Sequence, residues 1–194
     1  MDSIIAMKKN AKLAEALCNK LVVKFWSPYE SGSTEGYVLD IGPRFFLLAF
    51  INDEMRFNGF QCMRFSDVRG LQAPHQYADF VVAALRRRGQ TIRRKPNVDL
   101  SNLSALLNSA SRLFPLVTVH RERVDAETCK IGRVAGVTKS RLSLLEIGPD
   151  ALWEEKPSEL RLNEITRVDF GGGYEEALHL VGGRPKSLKI SLKQ

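Results

Sequence analysis

Arg44-Phe45-Phe46-Leu47-Leu48 and Arg141-Leu142-Ser143-Leu144-Leu145 are one phrase written twice, 97 positions apart. Held at that offset, residues 44–77 lie over 141–174 without a gap. The identities are Arg44/Arg141, Leu47/Leu144, Leu48/Leu145, Asp53/Asp150, Arg64/Arg161 and Tyr77/Tyr174. Apolar positions also coincide at Phe50/Ile147, Met55/Leu152, Met63/Leu160 and Leu71/Val168. Chance supplies a few identities, but it rarely keeps an apolar rhythm through 34 ungapped positions, and the pattern reads as an internal duplication. Upstream, Gly36-Tyr37-Val38 matches Gly132-Arg133-Val134 after a shift of one residue.

Both copies read as strands. Leu21–Trp26 and Leu116–Val124 alternate and are rich in β-formers, and Glu35–Ile41 and Lys130–Val137 follow them. Short turns at Gly42-Pro43 and Thr138-Lys139-Ser140 lead into Arg44–Ile51 and Arg141–Ile147. After Asn52-Asp53-Glu54 and Gly148-Pro149-Asp150, two short strands close each copy: Gly59–Phe65 and Asp67–Leu71, then Ser158–Leu162 and Glu164–Phe170. Helical patterns flank the copies at Ser3–Lys20, His75–Arg88, about 101–113 and Tyr174–Val181. Asp99 or Ser101 is the expected cap of the third helix, and Gly89 and Pro115 are stop signals. Five short strands in about 50 residues predict a barrel closed on itself, because a short open sheet leaves edges exposed.

A helix leading into five strands in this layout, with Gly132-Arg133-Val134 and Leu162-Asn163-Glu164-Ile165-Thr166-Arg167-Val168, resembles the Sm-like fold within the SH3-like group of small barrels. The resemblance covers roughly 20–72 and 115–170. It implies an α+β protein of two tandem small five-stranded β-barrels, each flanked by helices. The expected domains are 1–92 and 93–194, the second ending in a helix and strand. Sm-like proteins carry an Asp-and-Asn RNA-binding signature between the second and third central strands. Gly42-Pro43 and Thr138-Lys139-Ser140 stand there instead, so no Sm-type site residue is carried over.

Charge is concentrated rather than spread. Arg86, Arg87, Arg88, Arg93, Arg94 and Lys95 hold six of the net +7, with no acid among them, so the remainder is close to neutral. The run Arg86-Arg87-Arg88-Gly89-Gln90-Thr91-Ile92-Arg93-Arg94-Lys95 suits phosphates through counterion release, but has no aromatic residue on which a base could stack. The plainer reading is arginines at a helix C-terminus followed by a solvated connector. Arg93-Arg94 with Asp99-Leu100-Ser101 also resembles the PilZ domain, which implies a cyclic-dinucleotide ligand, although Ser104 stands where that motif has Gly.

Other motifs read as structural. Phe170-Gly171-Gly172-Gly173 precedes a helix that opens with Glu175 and Glu176, which repel a phosphate, and no Lys-Ser/Thr pair follows. Cys18, Cys62 and Cys129 are far apart and read as buried thiols rather than bridges. His75, His120 and His179 form no ligand-spaced pair, so no metal or other cofactor is expected. Arg44/Arg141 and Arg64/Arg161 read as strand-end charges bridging to Asp67 or Glu164, or as the lining of a seam between repeats. With no catalytic signature and no apolar run long enough to span a bilayer, the expectation is a cytoplasmic, non-enzymatic protein that binds nucleic acid, RNA included, through 86–95. The alternative is an interaction module that assembles through sheet edges, as a homo-oligomer or with a protein partner.

Overall fold

The computed structural model describes residues 2–185, and side chains from residue 9 onward; the strand expected at the extreme C-terminus lies outside the described residues. The first repeat comprises α1 (Asp2–Asn19), β1 (Val22–Trp26), β2 (Ser33–Ile41), β3 (Phe45–Ile51), β4 (Phe57–Arg64), a 3-10 turn at Phe65–Asp67, β5 (Arg69–Gln72) and α2 (Ala78–Arg87). The second comprises α3 (Leu103–Leu113), β6 (Val117–Arg121), β7 (Asp125–Val137), β8 (Arg141–Glu146), β9 (Ser158–Arg161), a 3-10 turn at Leu162–Glu164, β10 (Arg167–Phe170) and α4 (Gly173–Gly182). The two 3-10 turns sit 97 residues apart, the offset of the duplication. Both second strands also slip register at matched points, between Val38 and Asp40 and between Val134 and Gly136. Such bulges bend a strand and increase its twist.

The expected pair of closed barrels does not form. All ten strands join one open antiparallel sheet, in the order β5-β1-β2-β3-β4-β10-β6-β7-β8-β9. Within each repeat the fifth strand lies beside the first, as in β1·β5 and β6·β10. The fourth strand of the first repeat pairs with the fifth of the second, over Phe60↔Phe170, Gln61↔Asp169, Cys62↔Val168 and Met63↔Arg167. One of the edges that each barrel would close upon itself is thus satisfied by the other repeat, while β5 and β9 remain at the ends of the sheet.

β3 explains its own composition. Phe45 and Leu47 face one core cluster while Phe46 and Leu48 face another, so a strand covered on both sides carries no polar residue. The first of these clusters crosses the repeats. Leu103, Leu106, Leu107 and Ala110 of α3 pack on Phe60 and Cys62 of β4, Val117 and Val119 of β6, and Leu142 and Leu144 of β8. Leu13 and Ala16 of α1 cover Val23, Phe25, Phe46 and Met63, and α2 covers Tyr37, Ala49 and Ile51 through Val81 and Leu85. The boundary expected near residue 92 falls in a connector, residues 88–102, that has no regular secondary structure yet buries Val98 and Leu100 in the shared cluster.

The glycine run is structural, for a reason that only the seam supplies. Gly59 sits at φ +78° where β4 slips register, and a Cβ there would lie 2.5 Å from the backbone N of Gly172. Gly171, at φ +67°, backs onto the Phe114 ring, and Asn58 Oδ1 accepts from Gly173 N at 2.8 Å. Two backbones therefore meet with no room for side chains. Of the three thiols only Cys62 is buried, which pushes its pKa far up; Cys18 and Cys129 are exposed, and all three are free. Gly59→Ala is expected to lower stability by more than about 1 kcal/mol, in one cooperative urea transition seen alike by circular dichroism and fluorescence. Two separate transitions would show that the repeats fold apart.

Candidate nucleic-acid interface

The seam is polar on the face opposite α3. Arg167 of β10 is buried beneath carboxylates from three elements: Glu30 at 2.7 Å, Asp169 at 3.2 Å and Glu122 at 3.5 Å. Burial alone would pull this guanidinium down, but Asp169, Glu30 and Glu122 together raise it above the ordinary arginine value. His120 Nε2 lies 3.0 Å from Asp169 Oδ2. Arg123 continues the network, donating to Tyr29 Oη and Asp67 Oδ1, each at 2.7 Å. The β1–β2 turn of the first repeat is thus tied electrostatically to the second. Arg167→Met leaves the buried Glu122 and the half-buried Asp169 carboxylates without their cation. It is expected to cost about 3–5 kcal/mol in urea denaturation, and a loss under about 1 kcal/mol would show that the network does not hold the seam.

At one end of the seam the turns of both repeats surround a cleft of about 990 Å³. The β2–β3 turn supplies Pro43 and Arg44; the end of β4 and its 3-10 turn supply Arg64, Phe65 and Ser66. The β7–β8 turn adds Lys139, the second 3-10 turn adds Leu162 and Asn163, and the start of α3 adds Ser101 to Ser104. No acidic residue among the described residues lines this cleft. Arg64 stacks over Phe45 at 5.8 Å and donates to Leu162 O at 3.4 Å across the seam, while its Nε is buried without a partner. Burial, with Arg123 nearby, pulls Arg64 below the ordinary arginine value. The seam reading of Arg64 therefore holds, whereas Arg161 bridges to Glu164 at 3.8 Å and Asp67 pairs with Arg123.

The six cations singled out in the sequence are all exposed. Arg86 and Arg87 end α2, where positive charge suits the helix C-terminus, and Arg88 follows as its cap. Beyond it, Arg93 and Lys95 are strapped to the body of the protein. Arg93 donates to Gly171 O at 3.1 Å and lies 6.0 Å from the Phe60 ring, and Lys95 pairs with Asp40 at 2.8 Å. The strap then continues through the buried Leu100 to Ser101, at the wall of the cleft. Neither Asp99 nor Ser101 caps α3: Asn102 does, accepting from Ala105 N at 2.9 Å. Asp99 Oδ1 instead accepts from Ser101 N, a local turn that lowers the Asp99 pKa and accounts for the Asp-x-Ser spacing.

Sequence reasoning missed Lys139, Phe45 and Phe65 as cleft residues and Arg167 as the centre of a charge network. The signal for Arg167 lay in a difference between copies, because Gly70 and Gln72 occupy the positions of Arg167 and Asp169 in the first repeat. Among the described residues no cluster of His, Cys, Asp and Glu is arranged to hold a metal, and no helix is long and apolar enough to cross a membrane. Compared with family models, with curated proteins and with solved structures, the chain finds no match.

Proposed function

We propose that this protein binds single-stranded nucleic acid, RNA in particular, without catalysis, in the cleft at the seam. The observation that carries this reading is the joining of three cations (Arg44, Arg64 and Lys139) with Phe45 and Phe65 in one cleft built by both repeats. Cations neutralise phosphates and release counterions, whereas Phe45 and Phe65 are buried and form only the floor of the cleft, so the cleft grips the strand by its phosphates rather than by stacking. Arg93, Arg94 and Lys95 belong to the strap that leads to Ser101 and add exposed positive charge outside the cleft, as a secondary phosphate contact.

Fluorescence anisotropy with a labelled single-stranded RNA tests this directly. Binding should weaken steeply with salt, and Arg44→Glu with Lys139→Glu should lower affinity at least about tenfold. Charge reversal of Arg86, Arg87 and Arg88 should have the smaller effect. If those three alone abolish binding, the site is the connector and not the cleft; no binding at low salt ends the reading altogether.

A second reading, assembly through sheet edges, is favoured by the seam itself. The strand types joined there, a fourth and a fifth, are the types left at the two ends of the sheet, β9 and β5. A second copy fits this pattern head to tail. Against it, Lys9 and Lys12 of α1 already donate to Val68 O and Leu71 O, at 2.7 and 3.0 Å, covering part of the β5 edge. On this reading Lys9→Ala with Lys12→Ala shifts the protein toward oligomers in light scattering. A monomer at all concentrations, before and after the change, removes it.

A further inference from the structure

Away from the seam, a second cationic cavity lies within the second repeat, between the C-terminal ends of α3 and α4 and the outer face of β7. Its volume is about 330 Å³, at the lower end of the ~300–1,000 Å³ usual for small-molecule sites. Arg112 comes from the last turn of α3, Arg133 from β7 and Arg184 from the residues after α4. These positions are remote in sequence, so only the packing of three elements gathers them. No acidic residue lines the cavity, and among the described residues none of the three arginines makes an ion pair. His179 joins them from α4, and its Nδ1 is buried with no hydrogen-bond partner among the described residues.

Three arginines lining one cavity that no carboxylate lines suit an anionic ligand. Planar guanidinium forks match the paired oxygens of a phosphate bidentately, and three of them suit its second charge, while His179 adds a ring nitrogen that lacks a partner among the described residues. One wall of the cavity is aromatic. Trp153 donates its indole Nε1 to Gly182 O at 3.1 Å, which holds the ring in one orientation. A fixed aromatic wall beside a phosphate subsite suits a ligand that carries both a phosphate and a planar base.

We infer that Arg112, Arg133, Arg184 and His179, with Trp153, form a binding site for the phosphate monoester of a nucleoside, distinct from the cleft at the seam. That chemistry belongs equally to a free mononucleotide and to the phosphorylated end of a strand.

Trp26 and Trp153 are the two tryptophans, so Trp26→Phe leaves Trp153 as the sole indole reporter in the full chain. Adenosine monophosphate, inorganic phosphate, adenosine and a short 5′-phosphorylated RNA are titrated while Trp153 fluorescence is read. The expected result is a saturable change with adenosine monophosphate, competed by inorganic phosphate and at least about tenfold weaker with adenosine. Arg133→Glu with Arg184→Glu should abolish it, and the milder Arg133→Gln should weaken it at least about threefold, with the thermal unfolding midpoint as the control for folding. A response to the phosphorylated RNA but not to the mononucleotide still supports the site and assigns it to strand ends. A lack of saturable response to either, or an unchanged response in the folded Arg133→Glu/Arg184→Glu protein, overturns the assignment.

Discussion

Four backbone-paired positions, Phe60–Phe170 to Met63–Arg167, decide how the rest of the molecule is arranged. Each repeat ends in short strands with unpaired edges, and an unpaired edge is costly in a buried setting and hazardous in an exposed one. Joining β4 to β10 satisfies one edge of each repeat at once. It also brings Phe60 and Cys62 of one repeat beside Val117, Val119 and Phe170 of the other, so that α3 covers a floor made by both. The largest core cluster is therefore a product of the junction. The close passage of Gly59 against Gly172 follows from the same pairing, since no side chain fits where the two backbones converge.

The two faces of that junction behave differently. Toward α3 it is apolar and continuous with the core; on the other face it holds Arg167 among Glu30, Glu122 and Asp169. A buried cation with several carboxylates is a weak source of net stability compared with an apolar replacement, but it penalises misplacement severely, because any shift strands a charge. The hydrogen bonds of the ladder do not distinguish one register from a neighbouring one, whereas a guanidinium that must meet carboxylates from three elements does. The network thus specifies how the repeats join. The sites follow from this geometry too: the cleft exists because turns from both repeats open onto the same end of the seam, and the smaller cavity lies where the end of α3, β7 and the residues after α4 meet.

Much of the secondary structure was legible in the residues. The 97-residue offset reappears in the two 3-10 turns, the one-residue shift upstream places the bulges of β2 and β7 at matched points, and all four helices lie near their expected positions. The recurring Arg64 and Arg161 were legible as strand-end cations, but only the structure separates the two readings, sending Arg64 across the seam to Leu162 O and Arg161 to Glu164. The α3 cap was misplaced by one to three residues, since Asp99, Ser101 and Asn102 all favour caps and only the packing of Leu103 decides which turn begins the helix. The free thiols at Cys18 and Cys129 were read as buried because flanking apolar residues do not reveal which face of an element a side chain takes.

By itself, then, the sequence determined the repeating unit: strand order, turn positions, helix faces and the concentration of positive charge in one connector, though not the strand lengths, β7 running from Asp125 to Val137. These are local properties, set by periodicity, turn chemistry and composition within a few residues of each other. The closure of the strands was decided only in three dimensions. Strand edges pair through backbone N–H and C=O groups that are the same at every position, so nothing in the side chains announces whether β4 closes on its own repeat or joins the other. The open ten-stranded sheet, the Arg167 network and the gathering of Arg44, Arg64 and Lys139 into one cleft all depend on that choice, and each unites residues too distant in the chain for any local pattern to connect them.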